Sequence, residues 1–464
     1  MIAFDNSYAR LPAQFFSRLA PTPVRAPELR TWNDALAESL TLPSWSETER
    51  AAIFGGNALP DGAEPIAAVY AGHQFGNWNP RLGDGRAILL GEVIDGAGNR
   101  QDIQLKGSGP TPYSRSGDGR NWVGPAMREY LVSEAMAALN IPTTRALAVV
   151  TTGETVLRDA PLPGAIVTRV APSHIRVGSF QYFAARRDEA SLEALTAHAI
   201  ARHYPGASGP AELLEAAVKA QAELIARWMA VGFIHGVMNT DNAHIAGLTI
   251  DYGPCAFMDR YDPAKVFSSI DHGGRYAYAN QPQIAAWNMA QFATALLPLM
   301  PERDAAIEEF TEIVNGFAPA YQAAWRRAFG GKLGLATVSD EDVDLISDLL
   351  MMMAETLSDF TNTFSALTAH ADVGDLANHP RYRAWAEAWH ARAPDAALMA
   401  SANPAIIARN HLVEAAIQSA VSDDWRPFQA LNAALAHPFE RPAEPHFTAP
   451  PTPGEEVFQT FCGT

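Results

Sequence analysis

Cysteine is nearly absent: Cys255 and Cys462 are the two in 464 residues. Two thiols cannot build a disulfide framework, and such sparse use is typical of a reducing compartment. Long apolar runs are missing too. No stretch approaches the roughly 20 apolar residues that a membrane-spanning helix needs, and the opening MIAFDNSYARLP has no charged segment leading into an apolar one. Positive charge is in deficit, with 34 Lys and Arg against 51 Asp and Glu and a net charge of −17. That balance excludes a general nucleic-acid surface, which needs a basic field over the protein, so any phosphate site must be local. Internal repeats and low-complexity tracts are also lacking. The expectation is a soluble, cytoplasmic monomer without nucleic-acid or membrane partners.

What is present is enough chain for two or three domains, or for one two-lobed unit with extensions. Residues 1–65 read as a wrapping extension with a helix expected at 27–40. From 67 to 157 short apolar runs are split by glycine turns, the texture of a twisted antiparallel sheet. RAILLGEVI (86–94), the turn DGAGN (95–99) and RQDIQLKG (100–107) form a hairpin signal, because Asp-Gly supplies the positive φ angles of a tight turn. Lys106 ends its second strand. A helix is predicted at 125–139, with Pro125 in its first turn and Pro142 just past its end. Its core face is Met127, Tyr130, Leu131, Met136 and Leu139, which leaves Glu129 free to pair. Two more strands fit 146–157 and 165–170. Beyond Phe183 the pattern turns helical, with an amphipathic helix at 211–231 and further helices at 285–297, 304–328, 341–366 and 404–421. From about His437 the chain is rich in proline and should lie over the surface.

The most specific stretch is HGVMNTDNAHIAGLTIDYGP, residues 235–254. It reads as a helix end, a loop, a short apolar strand at 245–250 and a break at Gly253-Pro254. Asn242 and Asp251 supply an amide oxygen and a carboxylate, hard ligands of the kind Mg²⁺ takes. Asp241 is then left to act as a base. Kinase-like phosphotransferases often carry His-Gly-Asp with an asparagine five residues after that aspartate, then a metal-binding aspartate further on. Here His235, Gly236 and Asn242 keep the spacing, but the position of the usual base is Val237. A valine cannot accept a proton, and the nearby replacement is Asp241.

Two GDGR tetrads bracket Lys106, at 83–86 and 117–120. Glycine turns let backbone N–H groups approach phosphate oxygens, and Arg86 adds a charged donor; glycine turns between strands are also common as turns alone. Lys106 and Glu129 resemble the strand lysine and helix glutamate that pair in kinases to hold nucleotide phosphates. Arg169 and Arg176, seven residues apart across a proline, could clamp a triphosphate bidentately or simply be solvated. The order of small sheet, one helix and more sheet before a helical half predicts an α+β, kinase-like two-lobed fold: an N-terminal extension (1–65), an N-lobe (66–183), a mainly helical C-lobe with the catalytic loop and metal site (184–436) and a proline-rich tail (437–464).

Together the strings YAGHQFG (70–76), LGDGRAILLGE (82–92), QLKGSGPTPYSR (104–115), REYLVSEAM (128–136), GVMNTDN (236–242), DYGP (251–254) and NQPQIAAWN (280–288) resemble the selenoprotein O family, also called SelO or YdiU, of kinase-like protein adenylyltransferases. The resemblance implies ATP bound in an orientation inverted from that of kinases, with AMP passed to Ser, Thr or Tyr hydroxyls of protein substrates and pyrophosphate released. It implies Asp241 as proton acceptor, Asn242 and Asp251 as ligands of Mg²⁺ or Mn²⁺, Glu129 paired with Lys106, and Gly83, Gly85, Arg86, Lys106, Asp118, Gly119, Arg169, Arg176 and Asp251 around the nucleotide. Family members often end in a selenocysteine or cysteine to which redox control is attributed. Cys462 matches that place approximately, within FCGT rather than a serine-rich ending, and a bridge from it to Cys255 would lock the cleft. The competing readings are ordinary phosphoryl transfer by a protein or small-molecule kinase, against which Val237 counts, and a nucleotide-binding pseudoenzyme that serves as a scaffold.

Overall fold

A computed structural model describes residues 2–461. The chain is of mixed α+β class. Its strands and helices, in chain order, begin with β1 (Phe16–Arg18), β2 (Glu28–Trp32), α1 (Asp34–Ser39), α2 (Glu47–Phe54), β3 (Ile66–Ala68), β4 (Gly72–Gln74), β5 (Asn77–Asn79), β6 (Ala87–Ile94), β7 (Arg100–Lys106), β8 (Asn121–Trp122), α3 (Val123–Ala138), β9 (Arg145–Leu157) and β10 (Pro161–Ala171). They build one eight-stranded sheet of order β1-β3-β6-β7-β10-β9-β2, with β8 pairing β10. Every pairing in it is antiparallel.

Strand alternation in β7 explains how this sheet carries a site. Successive side chains point to opposite faces. Ile103 and Leu105 enter a small apolar core with Leu36, Leu40, Ile53 and Phe54 of the N-terminal segment. Asp102, Gln104 and Lys106 therefore face the other way and are also buried. On that second side lies α3, whose predicted core residues are all buried, as is Glu129 itself.

The remainder is helical: α4 (Val177–Ala185), α5 (Glu189–His203), α6 (Pro210–Ala230), a two-stranded ribbon of β11 (Phe233–Ile234) and β12 (Ala256–Phe257), then α7 (Gln281–Leu296), α8 (Arg303–Asn315), α9 (Phe317–Lys332), α10 (Asp340–Glu355), α11 (Phe360–Thr368), α12 (Tyr382–His390), α13 (Ala396–Ala402), α14 (Asn410–Val421) and α15 (Arg426–Leu435). The long helix α6 packs on α7, α8 and α9. Among the described residues, no helix is long and apolar enough to cross a membrane.

Several expectations need correction. Residues 27–40 are not one helix: β2 pairs along β9 before Asn33 caps α1 by accepting from the Leu36 N–H at 3.0 Å. Residues 245–250 make no strand; they form a turn held by isolated bridges of His244 to Arg176 and Thr249 to Thr143. The helix expected at 304–328 divides at Gly316, and that at 341–366 divides where Leu357 takes a positive φ and Asp359 caps α11. The helix expected at 404–421 starts only at Asn410, because Arg409 immediately before it is drawn into a buried pairing with Asp259 and Asp359. Both margins of the main sheet, β1 and β2, come from the first 65 residues.

The tail runs back to the centre. Thr460 lends its N–H to the Phe267 carbonyl at 2.8 Å and its hydroxyl to the Pro254 carbonyl at 2.6 Å. Cys255 is buried; Cys462 lies outside the described residues.

Helix α3 is fixed from behind as well. The Arg128 guanidinium donates to Asn410 Oδ1 at 2.8 Å and to the Cys255 carbonyl at 3.3 Å, and it pairs with Glu414. Arg128→Ala removes charge-assisted bonds from a buried seam, so the unfolding free energy in a urea titration is expected to fall by about 2–3 kcal/mol.

Candidate active site

Three elements bring cations to one carboxylate, that of Asp251. Lys106 closes β7, Arg169 stands opposite Gln104 on β10, Arg176 precedes α4, and Asp251 follows the loop after β11. The Lys106 ammonium reaches Glu129 at 2.7 Å and Asp251 Oδ1 at 3.1 Å. Arg169 bonds Glu129 at 2.5 Å, reaches Gln104 Oε1 at 3.3 Å and also pairs with Asp251. Arg176 donates to Asp251 Oδ2 at 3.1 Å and to the Asp241 backbone carbonyl at 3.1 Å, and its guanidinium lies 4.6 Å from the Tyr70 ring centre. Asp84, within the first GDGR tetrad, stands 3.9 Å from Arg176.

Three cations thus surround two carboxylates, and Arg86 lies close enough to disfavour the charge on Lys106. Burial would raise the Asp251 pKa, but Arg169, Lys106 and Arg176 outweigh it and hold the group well below the usual carboxylate range. Lys106 is shifted down by burial and by Arg169, against the pull of Glu129 and Asp251. Asp251 has a φ of 63°, a left-handed conformation that costs a non-glycine residue on the order of 1 kcal/mol. The result is a buried, strained cluster in which Lys106, Arg169 and Arg176 face Glu129 and Asp251, with Asp84 at its margin.

Asp241 sits on the adjoining loop, buried, with its pKa pushed up to about 6 by desolvation and partly restored by a hydrogen bond from Gln74. That bond, from Gln74 Nε2 to Asp241 Oδ2, measures 2.9 Å. The other carboxylate oxygen, Oδ1, is buried and has no hydrogen-bond partner among the described residues. Val237, earlier on the same loop, is also buried, and its carbonyl accepts the Asn242 side-chain N–H at 2.9 Å. Asn242 therefore keeps its amide oxygen for another partner. His235 links the two ends of the stretch: its Nδ1 accepts the Val237 N–H at 3.4 Å, which leaves Nε2 to donate to the Ile250 carbonyl at 2.9 Å. Burial pulls its pKa down, in keeping with a neutral ring.

The glycine tetrads have a plainer structural role. A Cβ on Gly83 would fall 2.5 Å from the Tyr113 ring, and one on Gly85 would fall 2.8 Å from the Tyr113 carbonyl. The first tetrad is thereby packed under the loop that leads to the second. Asp118 is exposed and ion-paired to Arg158 at 2.9 Å, while Gly119, at φ +66°, lies against Gly109. Neither residue enters the buried charge cluster.

Of the two side chains expected to hold a metal ion, Asp251 has both oxygens engaged by Lys106, Arg169 and Arg176, and Asn242 has its amide nitrogen on the Val237 carbonyl. No group of three or more His, Cys, Asp or Glu side chains suited to an ion occurs among the described residues. The protein's own ligands would leave a divalent ion to complete its shell with water and phosphate oxygens, the manner in which Mg²⁺ is usually held. Tyr70, Gln74, Asp84 and Gln104 carry no local signal that marks them as part of this site, except that Gln104 shares a strand face with Lys106.

A cavity of about 520 Å³ lies elsewhere, lined by Asp259, Lys265, Phe267, Asp359 and Phe458. It contains none of the convergent groups and no orphaned acid.

The description "Protein adenylyltransferase SelO" belongs to a family model that matches residues 1–436. The chain belongs to the SelO family. Its curated relatives carry the name "Protein nucleotidyltransferase YdiU": that of Jannaschia sp. (strain CCS1) is 58% identical over 478 aligned positions covering 99% of both chains, and that of Ruegeria pomeroyi is 57% identical over 468 positions covering 100% of this chain and 99% of its own. SelO membership extends well beyond the 70–288 strings that resemble the family and makes the chain a protein nucleotidyltransferase, for which ATP is the substrate.

Lys106→Met deletes one cation while Arg169 still covers Glu129 and Asp251. ATP affinity measured by titration calorimetry is expected to fall at least about tenfold, the worth of one charge-assisted bond, with an unchanged far-UV circular dichroism spectrum.

Proposed function

We propose that this chain is a kinase-like, two-lobed enzyme that transfers AMP from ATP to Ser, Thr or Tyr hydroxyls of proteins, with the nucleotide inverted relative to kinases. The lobes would divide at 66–183 and 184–436, with residues 1–65 and 437–464 as extensions. The observation that carries the reading is the pairing of a buried valine at the usual base position with a buried, half-unsatisfied carboxylate at Asp241.

In this reading Lys106, Arg169 and Arg176 take the terminal phosphates, with Glu129 orienting Lys106. The sheet-side turns at Gly83, Gly85 and Arg86, and the loop with Asp118 and Gly119, flank the nucleotide. The α-phosphorus then faces Asp241. A substrate hydroxyl oxygen forms a bond to that phosphorus as the bond to the bridging oxygen breaks. Pyrophosphate leaves with the electron pair, and the hydroxyl proton passes to Asp241 Oδ1. Placement and charge neutralisation supply most of the rate. Asn242 and Asp251 would hold Mg²⁺ or Mn²⁺, which supplies charge neutralisation to the phosphates when bound. The low cysteine use supports a cytoplasmic setting, the working state would be a monomer, and Cys255 and Cys462 as a redox pair would extend the family resemblance.

Incubation with α-labelled ATP is expected to label protein, and γ-labelled ATP is not. Mass spectrometry of a lysate treated with wild type should find hydroxyl residues carrying AMP that are missing after treatment with Asp241→Ala. Transfer of γ label alone would replace this reading with phosphoryl transfer.

A further inference from the structure

Asp241 is not held by its own loop alone. The β4–β5 hairpin, 167 residues earlier in the chain, lies directly on that loop. The His73 N–H donates to Thr240 Oγ1 at 2.7 Å, and the Phe75 N–H donates to Asn239 Oδ1 at 3.0 Å and to the Tyr276 hydroxyl at 3.1 Å. Thr240 Oγ1 in turn donates to Gln181 Oε1 at 2.7 Å, and Gln181 Nε2 donates to His73 Nδ1 at 3.0 Å, closing a ring of side chains around the loop. Hairpin and loop are therefore fixed to one another at several points, independently of Asp241.

Residues 72 and 74 share a face of β4, and that face looks at the carboxylate. A Cβ on Gly72 would lie 3.1 Å from Asp241 Oδ1, so glycine keeps the space beside that oxygen clear. Gln74 has its amide nitrogen on Oδ2 at 2.9 Å. The nitrogen must be the end that faces the acid, because an amide oxygen there could only repel it. A donor fixed on one oxygen sets the rotation of the carboxylate about its Cβ–Cγ bond, and with it the direction in which the other oxygen faces.

We propose that Gln74 is a positioning residue: by holding Oδ2 it locks the Asp241 carboxylate with Oδ1 turned to the reacting hydroxyl. The proposal rests on the reading of Asp241 as the proton acceptor. Its side-chain contact is with Asp241 and not with Lys106, Arg169 or Arg176, so its influence is expected on turnover and not on nucleotide binding.

The experiment compares wild type, Gln74→Leu, Asp241→Asn and the double variant, using the full chain, α-labelled ATP and a generic protein acceptor such as casein. Gln74→Leu keeps the side-chain volume and is expected to lower kcat about 10- to 100-fold, the scale of a small misplacement of a catalytic group. KM for ATP, the calorimetric Kd for a non-hydrolysable ATP analogue and the melting temperature should stay at wild-type values. Gln74→Asn, one methylene shorter, should not restore turnover. Adding Gln74→Leu to Asp241→Asn should cost nothing further, since the amide acts through a carboxylate already removed. The proposal is overturned if Gln74→Leu retains wild-type kcat while Asp241→Asn is inactive, if kcat and ATP affinity fall together, or if the loss is the same with and without Asp241. Full activity in Asp241→Asn would instead overturn the assignment of Asp241, and the role of Gln74 with it.

Discussion

The structure turns on a carboxylate outnumbered by its cations. Asp251 is gripped by Lys106, Arg169 and Arg176, groups delivered by two neighbouring strands, the entry to α4 and the loop between β11 and β12. Each charge in this cluster lost its hydration when it was buried, and such clusters rarely add net stability over well-packed apolar side chains. Its persistence in a chain of strongly negative net charge makes sense as a chemical device. The same contact ties the sheet to the helical remainder, so the most costly electrostatic arrangement in the molecule is also the one that sets how those parts meet.

Two supports keep that arrangement from relaxing. Behind it, α3 presents Glu129 inward while Arg128 on the same helix is fastened to α14. In front, the β4–β5 hairpin lies against the Asp241 loop. The supports act on different carboxylates. Glu129 holds Lys106 and Arg169, and Gln74 holds Asp241, so the cation cluster and the neighbouring acid have separate mechanical foundations.

The sequence discloses the parts of this site whose signals are local. Asp-Gly at the 95–99 turn announces β6 and β7, and the apolar spacing around Glu129 announces α3, so Lys106 and its partner can be matched across 23 residues. The register from His235 to Asn242 exposes Val237 at the position where kinases carry their base. What stays hidden depends on distant partners. Residues 28–32 have no strong strand signal, and they are extended because β9 is there to pair with them; Asn33, a good N-cap, was the local clue that the helix begins later. Apolar residues at 245, 248 and 250 mimic a strand, but single bridges on each side leave them a turn. Gln74 is a polar residue in a glycine-bounded hairpin until folding sets it against Asp241, and Arg169 and Arg176 look like solvated cations until the cluster encloses them.

The two margins of the sheet have a consequence for how the chain reaches this state. β1 and β2 leave the ribosome before the strands they cover, and Trp32 finds its partner Ala148 over a hundred residues later. Until then β3 and β9 are bare edges with unpaired N–H and C=O groups, the template for strand-to-strand aggregation. Folding of the sheet is therefore governed by non-local pairing, which is slow because loop closure precedes any gain from contact. Loss of the first 32 residues would spare every group in the active site and still deprive the newly made sheet of the strands that cover its edges.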